Sequence, residues 1–116
     1  MTTDYPLPIP AWIERLPKAE LHLHLEGAAT AETLQALLRA SGRGWVELEE
    51  IRPHLAYQDF SGFLLAFKYV SEQLRTPADY AFLLRDLLRR LHQQNVLYAE
   101  INLAAGVVLW KRQDLD

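Results

Sequence analysis

Glutamate and histidine residues alternate with apolar residues along one short segment of the chain, as Glu20, His22, His24 and Glu26. Successive side chains of a β-strand point to opposite faces, so a strand here would place these four side chains on one face. Neutral imidazole is a good ligand for zinc, and alternate residues of a strand lie only about 6–7 Å apart. The spacing therefore predicts a metal site held by His22 and His24.

The residues that follow support this prediction, because a bare His-x-His pair also occurs by chance on an amphipathic edge strand. Gly27 permits a sharp turn, and Thr30 has the character of a helix N-cap. The histidines would then lie at the carboxyl end of a strand that enters a βα loop. Ligands of α/β folds and of (β/α)₈ barrels bind at this end of the strands.

Composition limits the class of protein and its partners. The chain has 116 residues, of which 50% are hydrophobic and 23% charged, as expected for a globular protein with one modest core. A net charge of −3 without any basic run argues against a nucleic acid or an anionic membrane surface as the partner. A small polar molecule is the expected ligand.

Cysteine usage and the N-terminus bear on the compartment. The chain has no cysteine, which excludes disulfides and thiolate metal sites and suits a reducing cytosol. Residues 1–10 are polar and proline-rich, without the features of a secretory signal, and no stretch is long enough to span a bilayer. We therefore expect a cytoplasmic location.

Periodicity and capping signals predict the secondary structure. After an extended lead-in over residues 1–17, the main elements are two strands and three helices: strands Ala19–Leu25 and Val96–Leu103, and helices Ala31–Ala40, Asp59–Leu74 and Pro77–Gln94. Three shorter helical segments are also predicted: a turn at Trp12–Leu16, a short helix within residues 43–58 that Pro53 interrupts, and the opening of a helix from Gly106 through Gln113–Asp116.

Finer predictions concern packing. Trp12 and Ile13 are expected to plug a hydrophobic end, and Asn95 to cap the last long helix in the left-handed conformation. The buried stripe of that helix is predicted to be Tyr80, Leu84, Leu87, Leu88 and Leu91. Its water-facing side is predicted to be Arg85, Asp86, Arg89, Arg90 and Gln93.

The two predicted strands are separated by residues 26–95, whereas a minimal βαβ unit takes about 30 residues in all. The first connection is therefore expanded by a helical insertion. A complete (β/α)₈ barrel takes about 250 residues. We expect an α/β fold that forms the N-terminal part of a (β/α)₈ TIM barrel, with residues 1–116 as a fragment of a single barrel domain.

Three segments together carry a family resemblance: Lys18–Gly27, the phenylalanine-bearing helix at Phe60–Phe67, and Val96–Leu103 with its Tyr98-Ala99-Glu100-Ile101. In order and spacing they resemble the N-terminal part of the adenosine deaminase family, over most of residues 15–105. The resemblance implies a zinc-bearing (β/α)₈ barrel that hydrolyses the 6-amino group of an adenine ring and releases ammonia.

The resemblance also implies roles for single residues. His22 and His24 match two zinc ligands at the end of the first strand. The family's third histidine and aspartate ligands, its proton-shuttling glutamate and a further histidine all come from later strands. We therefore expect no catalytic residue within this chain, and expect the fragment alone to be inactive.

Four residues match substrate-binding positions of the family. Glu26 matches an aspartate that contacts the ribose in many members, and Gly27 matches the turn glycine. Phe63 and Phe67 match the hydrophobic wall over the purine, although their spacing is also that of an ordinary buried helix face. Glu100 and Asn102 are expected to be structural interior groups.

Departures from the family pattern leave the substrate open. Glu26 is one methylene longer than aspartate, which is a pattern closer to adenine deaminases of the same family. Asn102 stands where many members have arginine, and Ala105 where they often have proline. Adenine, adenosine and a 6-aminodeoxyfutalosine-type nucleoside all remain candidates.

Two other classes of function also remain open. The chain could be a non-catalytic module that self-associates through exposed strand edges, since unpaired edges favour pairing with another chain. It could also belong to another metal-dependent barrel hydrolase that shares only the His-x-His pair.

Overall fold

The structure, a computed structural model, describes residues 8–111. Its elements in chain order are α1 (Ala11–Arg15), β1 (Lys18–His24), a 3₁₀ turn (Glu26–Ala28), α2 (Ala31–Ala40), α3 (Leu48–Leu55), α4 (Phe60–Gln73), α5 (Pro77–Gln93), β2 (Val96–Asn102) and α6 (Ala105–Trp110). The prediction for Gln113–Asp116 lies outside the described residues.

The two strands pair in parallel, and four helices form the connection between them. Lys18 is opposite Val96 and His24 is opposite Asn102, so both strands end at the same edge of the sheet. The predicted α/β fold and the helical insertion after the first strand are confirmed. β1 begins and ends one residue earlier than predicted, and β2 ends at Asn102 rather than Leu103.

Side-chain caps mark the starts of three helices. Thr30, Asp59 and Thr76 each accept a hydrogen bond from the backbone N–H three residues further on, which satisfies a donor left free at the start of a helix. Asp79 completes a capping box with Thr76. Asn95 has a φ of 57°, so the prediction of a left-handed residue after α5 is confirmed.

The core lies among α2, α3, α4 and α5. Leu34, Ile51, Leu74 and Leu83 are fully buried, one from each of these helices or its end. The predicted stripe of α5 is partly wrong, because Leu83 is buried while Leu88 is 47% exposed. α5 packs against both α2 and β2, and this double contact determines which of its leucines are covered.

Proline does not interrupt α3 as predicted. The helix runs through Pro53 to Leu55, and Ala56 N–H still donates to the Arg52 carbonyl. Pro53 lies in the last turn, so its missing N–H frees only the carbonyl of Glu49, which is on an exposed residue. Burial of Ile51 anchors the helix on its other side.

The N-terminal helix is tied to the start of β1. The Lys18 ammonium donates to the carbonyls of Ile13, Glu14 and Leu16 at 2.6, 3.2 and 2.8 Å. Trp12 is 60% exposed and Ile13 is 36% exposed, so the predicted hydrophobic plug is not formed within residues 8–111. The helix is held by polar contacts instead.

The remaining short element, α6, begins one residue before Gly106, and Val108 anchors it by burial. Among residues 8–111, none of the helices is both long enough and apolar enough to cross a membrane.

Candidate metal centre and adjoining cavity

The two histidines of β1 converge at the carboxyl end of the strand. Their Nε2 atoms are 3.1 Å apart, and both side chains are exposed. With metal–nitrogen distances of about 2.0–2.1 Å, two nitrogens at this separation subtend about 100° at a common ion, near the tetrahedral value. His22 and His24 therefore fit two positions of one metal ion. In the absence of an ion, the same distance suits a hydrogen bond between the rings.

The described part of the chain supplies only this pair. Within residues 8–111, no group of three or more histidine, cysteine, aspartate or glutamate side chains is arranged to hold a metal. His54 instead stacks on Tyr69 with ring centroids 4.2 Å apart, and His92 is exposed on α5. A catalytic zinc site needs a third protein ligand, so further ligands would come from outside the described residues.

The structure corrects the predicted position of Glu26. The alternation of β1 ends at His24, because Leu25 has helical backbone angles and Glu26 begins the 3₁₀ turn. Glu26 therefore does not share the strand face of Glu20 and the histidines. Its side chain turns inward and is only 1% exposed.

One oxygen of Glu26 is hydrogen-bonded and the other is not. Oε1 accepts from the Ala104 N–H at 2.9 Å, which links the turn after β1 to the loop after β2. Oε2 is buried and has no hydrogen-bond partner among the described residues. A buried carboxylate oxygen is costly to leave unsatisfied, so this atom is suited to accept from a bound ligand.

The four predicted substrate-binding residues meet at one cavity of about 70 Å³. Glu26 and Gly27 come from the 3₁₀ turn, and Phe63 and Phe67 come from α4, which packs against that turn. The two phenylalanine rings have centroids 6.3 Å apart. Tyr57, which the sequence did not single out, also lines the cavity and meets Phe63 edge-on at 5.5 Å.

Gly27 lies between the cavity and the histidine pair. A Cβ built on Gly27 would lie 3.8 Å from the Cβ of His24, which is ordinary van der Waals contact. The φ of Gly27 is outside the left-handed region, so the backbone angles of this turn do not require glycine. Gly27 thus lines the cavity and lies next to His24.

A polar network that the sequence did not reveal connects the turn to α2 and α5. Arg90 donates to the Ala28 carbonyl at 2.7 Å and to Asp86 Oδ2 at 2.9 Å, and Thr33 donates to the same oxygen at 2.7 Å. Burial would raise the pKa of Asp86, but the hydrogen bonds from Thr33 and Arg90 and the nearby positive charges outweigh it and lower that pKa. Asp86 and Arg90 are thus half-buried rather than water-facing as predicted.

On β2, the Tyr98 hydroxyl donates to Glu100 Oε1 at 2.8 Å, and this hydrogen bond raises the pKa of Tyr98. Asn102 Nδ2 donates to the Leu23 carbonyl at 3.4 Å, across to β1. These hydrogen bonds hold side chains of β2 to each other or to the backbone of β1, and Asn102 lies opposite His24 in the sheet.

Comparison with known proteins identifies the family to which the chain belongs. The family model described as adenosine deaminase matches residues 17–113. The chain belongs to the adenosine deaminase family. It is 37% identical over 91 residues to the adenine deaminases of Pseudomonas putida and Bordetella avium, covering 77% of this chain and 29% of each relative. The chain therefore spans less than a third of the length of these family members.

A solved structure from the family shows the same fold. The crystal structure of adenine deaminase from Arthrobacter aurescens superposes with a TM-score of 0.73 at 30% sequence identity, covering 85% of this chain and 31% of that one. The predicted resemblance is confirmed, as is the assignment to an α/β fold of the TIM-barrel class.

Proposed function

We propose that the protein carrying this chain removes the 6-amino group of an adenine-type base by hydrolysis, with a metal ion bound by His22 and His24. The observation that carries the proposal is the 3.1 Å separation of the two Nε2 atoms at the carboxyl end of β1. The family is generally metal-dependent, and the relatives named above are adenine deaminases.

We assign zinc to this site because imidazole nitrogens suit zinc and the two histidines lie at a strand end open to solvent. When bound, zinc makes a nucleophile available from water at neutral pH by lowering the pKa of coordinated water to about 7. His22 and His24 would hold the ion through their Nε2 atoms, which leaves each Nδ1 to carry the ring proton. The remaining ligands and the proton-transfer groups are assigned to chain outside residues 8–111.

The cavity beside the histidines would bind the purine. Phe63 and Phe67 offer aromatic faces for stacking on the ring, and Gly27 lines the cavity next to His24. Glu26 Oε2 would accept a hydrogen bond from an N–H or O–H of the substrate, which removes the cost of its unsatisfied burial. Free adenine is the substrate we place first, since the relatives named above are adenine deaminases.

The test is ammonia release by the protein carrying this chain, before and after removal and return of zinc. Adenine, adenosine and 6-aminodeoxyfutalosine are compared as substrates. Loss of an outer-shell partner of a metal ligand already costs about 10–100-fold, so His22→Ala and His24→Ala should each lose more than about a hundredfold in kcat/KM. His92→Ala, at an exposed histidine of α5, is the matched control and should stay within about twofold.

Two outcomes would contradict different parts of the proposal. Wild-type turnover and metal content in both histidine variants would show that these residues do not bind the metal. A zinc-loaded wild-type protein that releases no ammonia from any of the three substrates would exclude purine deamination, whatever the metal content.

A second candidate function is self-association through strand edges. Within the described residues the sheet has only two strands, and Leu21 and Leu97 are 65% and 73% exposed. Exposed apolar strand residues beside free edges favour pairing with a second copy. Sedimentation of the 116-residue chain tests this: a stable oligomer would support edge pairing, and a monomer over the whole concentration range would exclude it.

A further inference from the structure

The 3₁₀ turn that carries Glu26 and Gly27 has weak internal hydrogen bonds. Ala28 N–H donates to the Leu25 carbonyl at 3.2 Å, and Ala29 N–H donates to the Glu26 carbonyl at 3.5 Å. Short 3₁₀ segments have poor hydrogen-bond geometry in general. The turn therefore depends on contacts from other elements to keep its shape.

Besides the packing of α4, three hydrogen bonds from neighbouring elements hold the turn. On the side of β2, Leu25 N–H donates to the Asn102 carbonyl at 2.9 Å, and Glu26 Oε1 accepts from the Ala104 N–H at 2.9 Å. On the helical side, Arg90 of α5 donates to the Ala28 carbonyl at 2.7 Å. Arg90 therefore adds a hydrogen bond from α5 to the end of a turn that α4 already contacts by packing.

Asp86 determines where the Arg90 guanidinium points. The side chains are 28% and 12% exposed for Arg90 and Asp86, and Nε donates to Asp86 Oδ2 at 2.9 Å. Oδ2 also accepts from Thr33 in the first turn of α2. Charge-assisted bonds of this kind are shorter and stronger than neutral ones, so one carboxylate of α5 fixes both Arg90 and the start of α2.

We propose that Arg90, oriented by Asp86, is a positioning residue that sets the placement of Glu26 and Gly27 in the cavity. It acts through the carbonyl of Ala28 and does not contact the ligand. Its effect on substrate binding rests on the proposed function. Its effect on the turn does not, because the turn is part of the fold.

The chain offers a matched control on the same helix. Arg89 also contacts Asp86, but through Oδ1, and its side chain is 69% exposed. Within residues 8–111 it makes no hydrogen bond to the turn, so Arg89→Gln removes the same type of charge from the same acid without freeing the Ala28 carbonyl. Arg90→Lys keeps a positive charge but lacks the planar fork that reaches two acceptors.

The experiment compares Arg90→Gln, Arg90→Lys and Arg89→Gln in the protein carrying this chain. The first readout is amide hydrogen exchange over residues 25–30. Losing a hydrogen bond from a charged donor should speed exchange there about tenfold in Arg90→Gln, less in Arg90→Lys, and within about twofold in Arg89→Gln. The second readout is deamination of adenine, where KM should rise about tenfold in Arg90→Gln while kcat changes by less than about twofold.

The exchange measurement decides by itself whether Arg90 holds the turn, and the KM measurement decides whether the turn positions the substrate contacts. Equal exchange in Arg90→Gln and Arg89→Gln would overturn the proposal, as would faster exchange spread evenly over β2 and α5 instead of concentrated in the turn. Faster exchange confined to the turn, in a protein that does not deaminate purines, would support the positioning role and reject the proposed function. Faster exchange without a change in KM would show that the turn does not position the substrate contacts.

Discussion

The helical layer formed by α2 to α5 and the two-stranded sheet differ in how far this chain buries them. In the helical layer Leu34, Ile51 and Leu83 are fully buried, whereas Leu21 of β1 and Leu97 of β2 are 65% and 73% exposed. Burial of a large apolar side chain contributes about 1.5–3 kcal/mol, so the stability of the described residues is concentrated in the helices.

The buried core and the candidate metal site therefore lie in different parts of the chain. The histidine pair lies on the sheet, where both rings are exposed. The cavity lined by Glu26, Phe63 and Phe67 lies at the boundary, between the turn after β1 and α4 of the helical layer. The helical layer therefore serves as the rigid support against which the turn and the strand end are held.

The largest expected effect is a difference in unfolding free energy between a core variant of the helical layer and a variant of the sheet. Leu83→Ala in the 116-residue chain should lower the free energy of unfolding by about 2–5 kcal/mol, because it leaves a cavity in the core. Leu97→Ala should change it by less than about 1 kcal/mol, because the side chain is 73% exposed. Urea denaturation measures both. Equal losses in the two variants would show that Leu97 of the sheet stabilises the chain as much as Leu83 of the helical core does.

An intermediate loss of stability is expected at Asp86, which orients the Arg90 side chain that binds the turn. Asp86→Asn should cost about 1–3 kcal/mol at neutral pH, since it weakens the bonds to Arg90 and Thr33. The folded-state pKa of Asp86 is below its ordinary 3.8, so its contribution is fully present above that pH. That contribution is lost as the pH falls through the lowered value.

Unfolding free energies measured between neutral pH and about pH 2 check this sign. The difference between wild type and Asp86→Asn should be constant above pH 3.8 and should narrow below it. A difference that widened in acid would mean that the Asp86 carboxylate does not stabilise the fold.

The smallest expected effect on stability concerns an ion pair within the helical layer. Glu32 and Arg52 form an ion pair at 3.1 Å between α2 and α3, with side chains 61% and 56% exposed. Exposed pairs contribute about 0.2–1 kcal/mol, so a double-mutant cycle with Glu32→Gln and Arg52→Gln should give a coupling in that range. A coupling above about 2 kcal/mol would show that charge, as well as burial, joins these helices.

Local signals were sufficient to predict most helix boundaries. Thr30, Asp59 and Thr76 each accept the backbone bond expected of an N-cap, because this bond involves only residues three apart in sequence. The convergence of His22 and His24 also follows from local geometry, since both lie on one strand face. The family resemblance relied on these same local features.

Non-local contacts could not be predicted in the same way. Glu26 turned away from the histidines because β1 ended a residue earlier than its leucine pattern indicated. The bond from Arg90 to the Ala28 carbonyl joins residues 62 positions apart, and the one from Thr33 to Asp86 joins residues 53 apart. Such pairings depend on how α5 packs, which also determined that Leu83 rather than Leu88 is buried.

The three carbonyl contacts of Lys18 have a practical consequence for chemical labelling. An amine reagent can acylate the Lys18 nitrogen only after the ammonium leaves the carbonyls of Ile13, Glu14 and Leu16. Lys68, whose side chain is 69% exposed, carries no such requirement. The ratio of the two labelling rates therefore reports how often the first helix detaches from the strand that ends in the histidine pair.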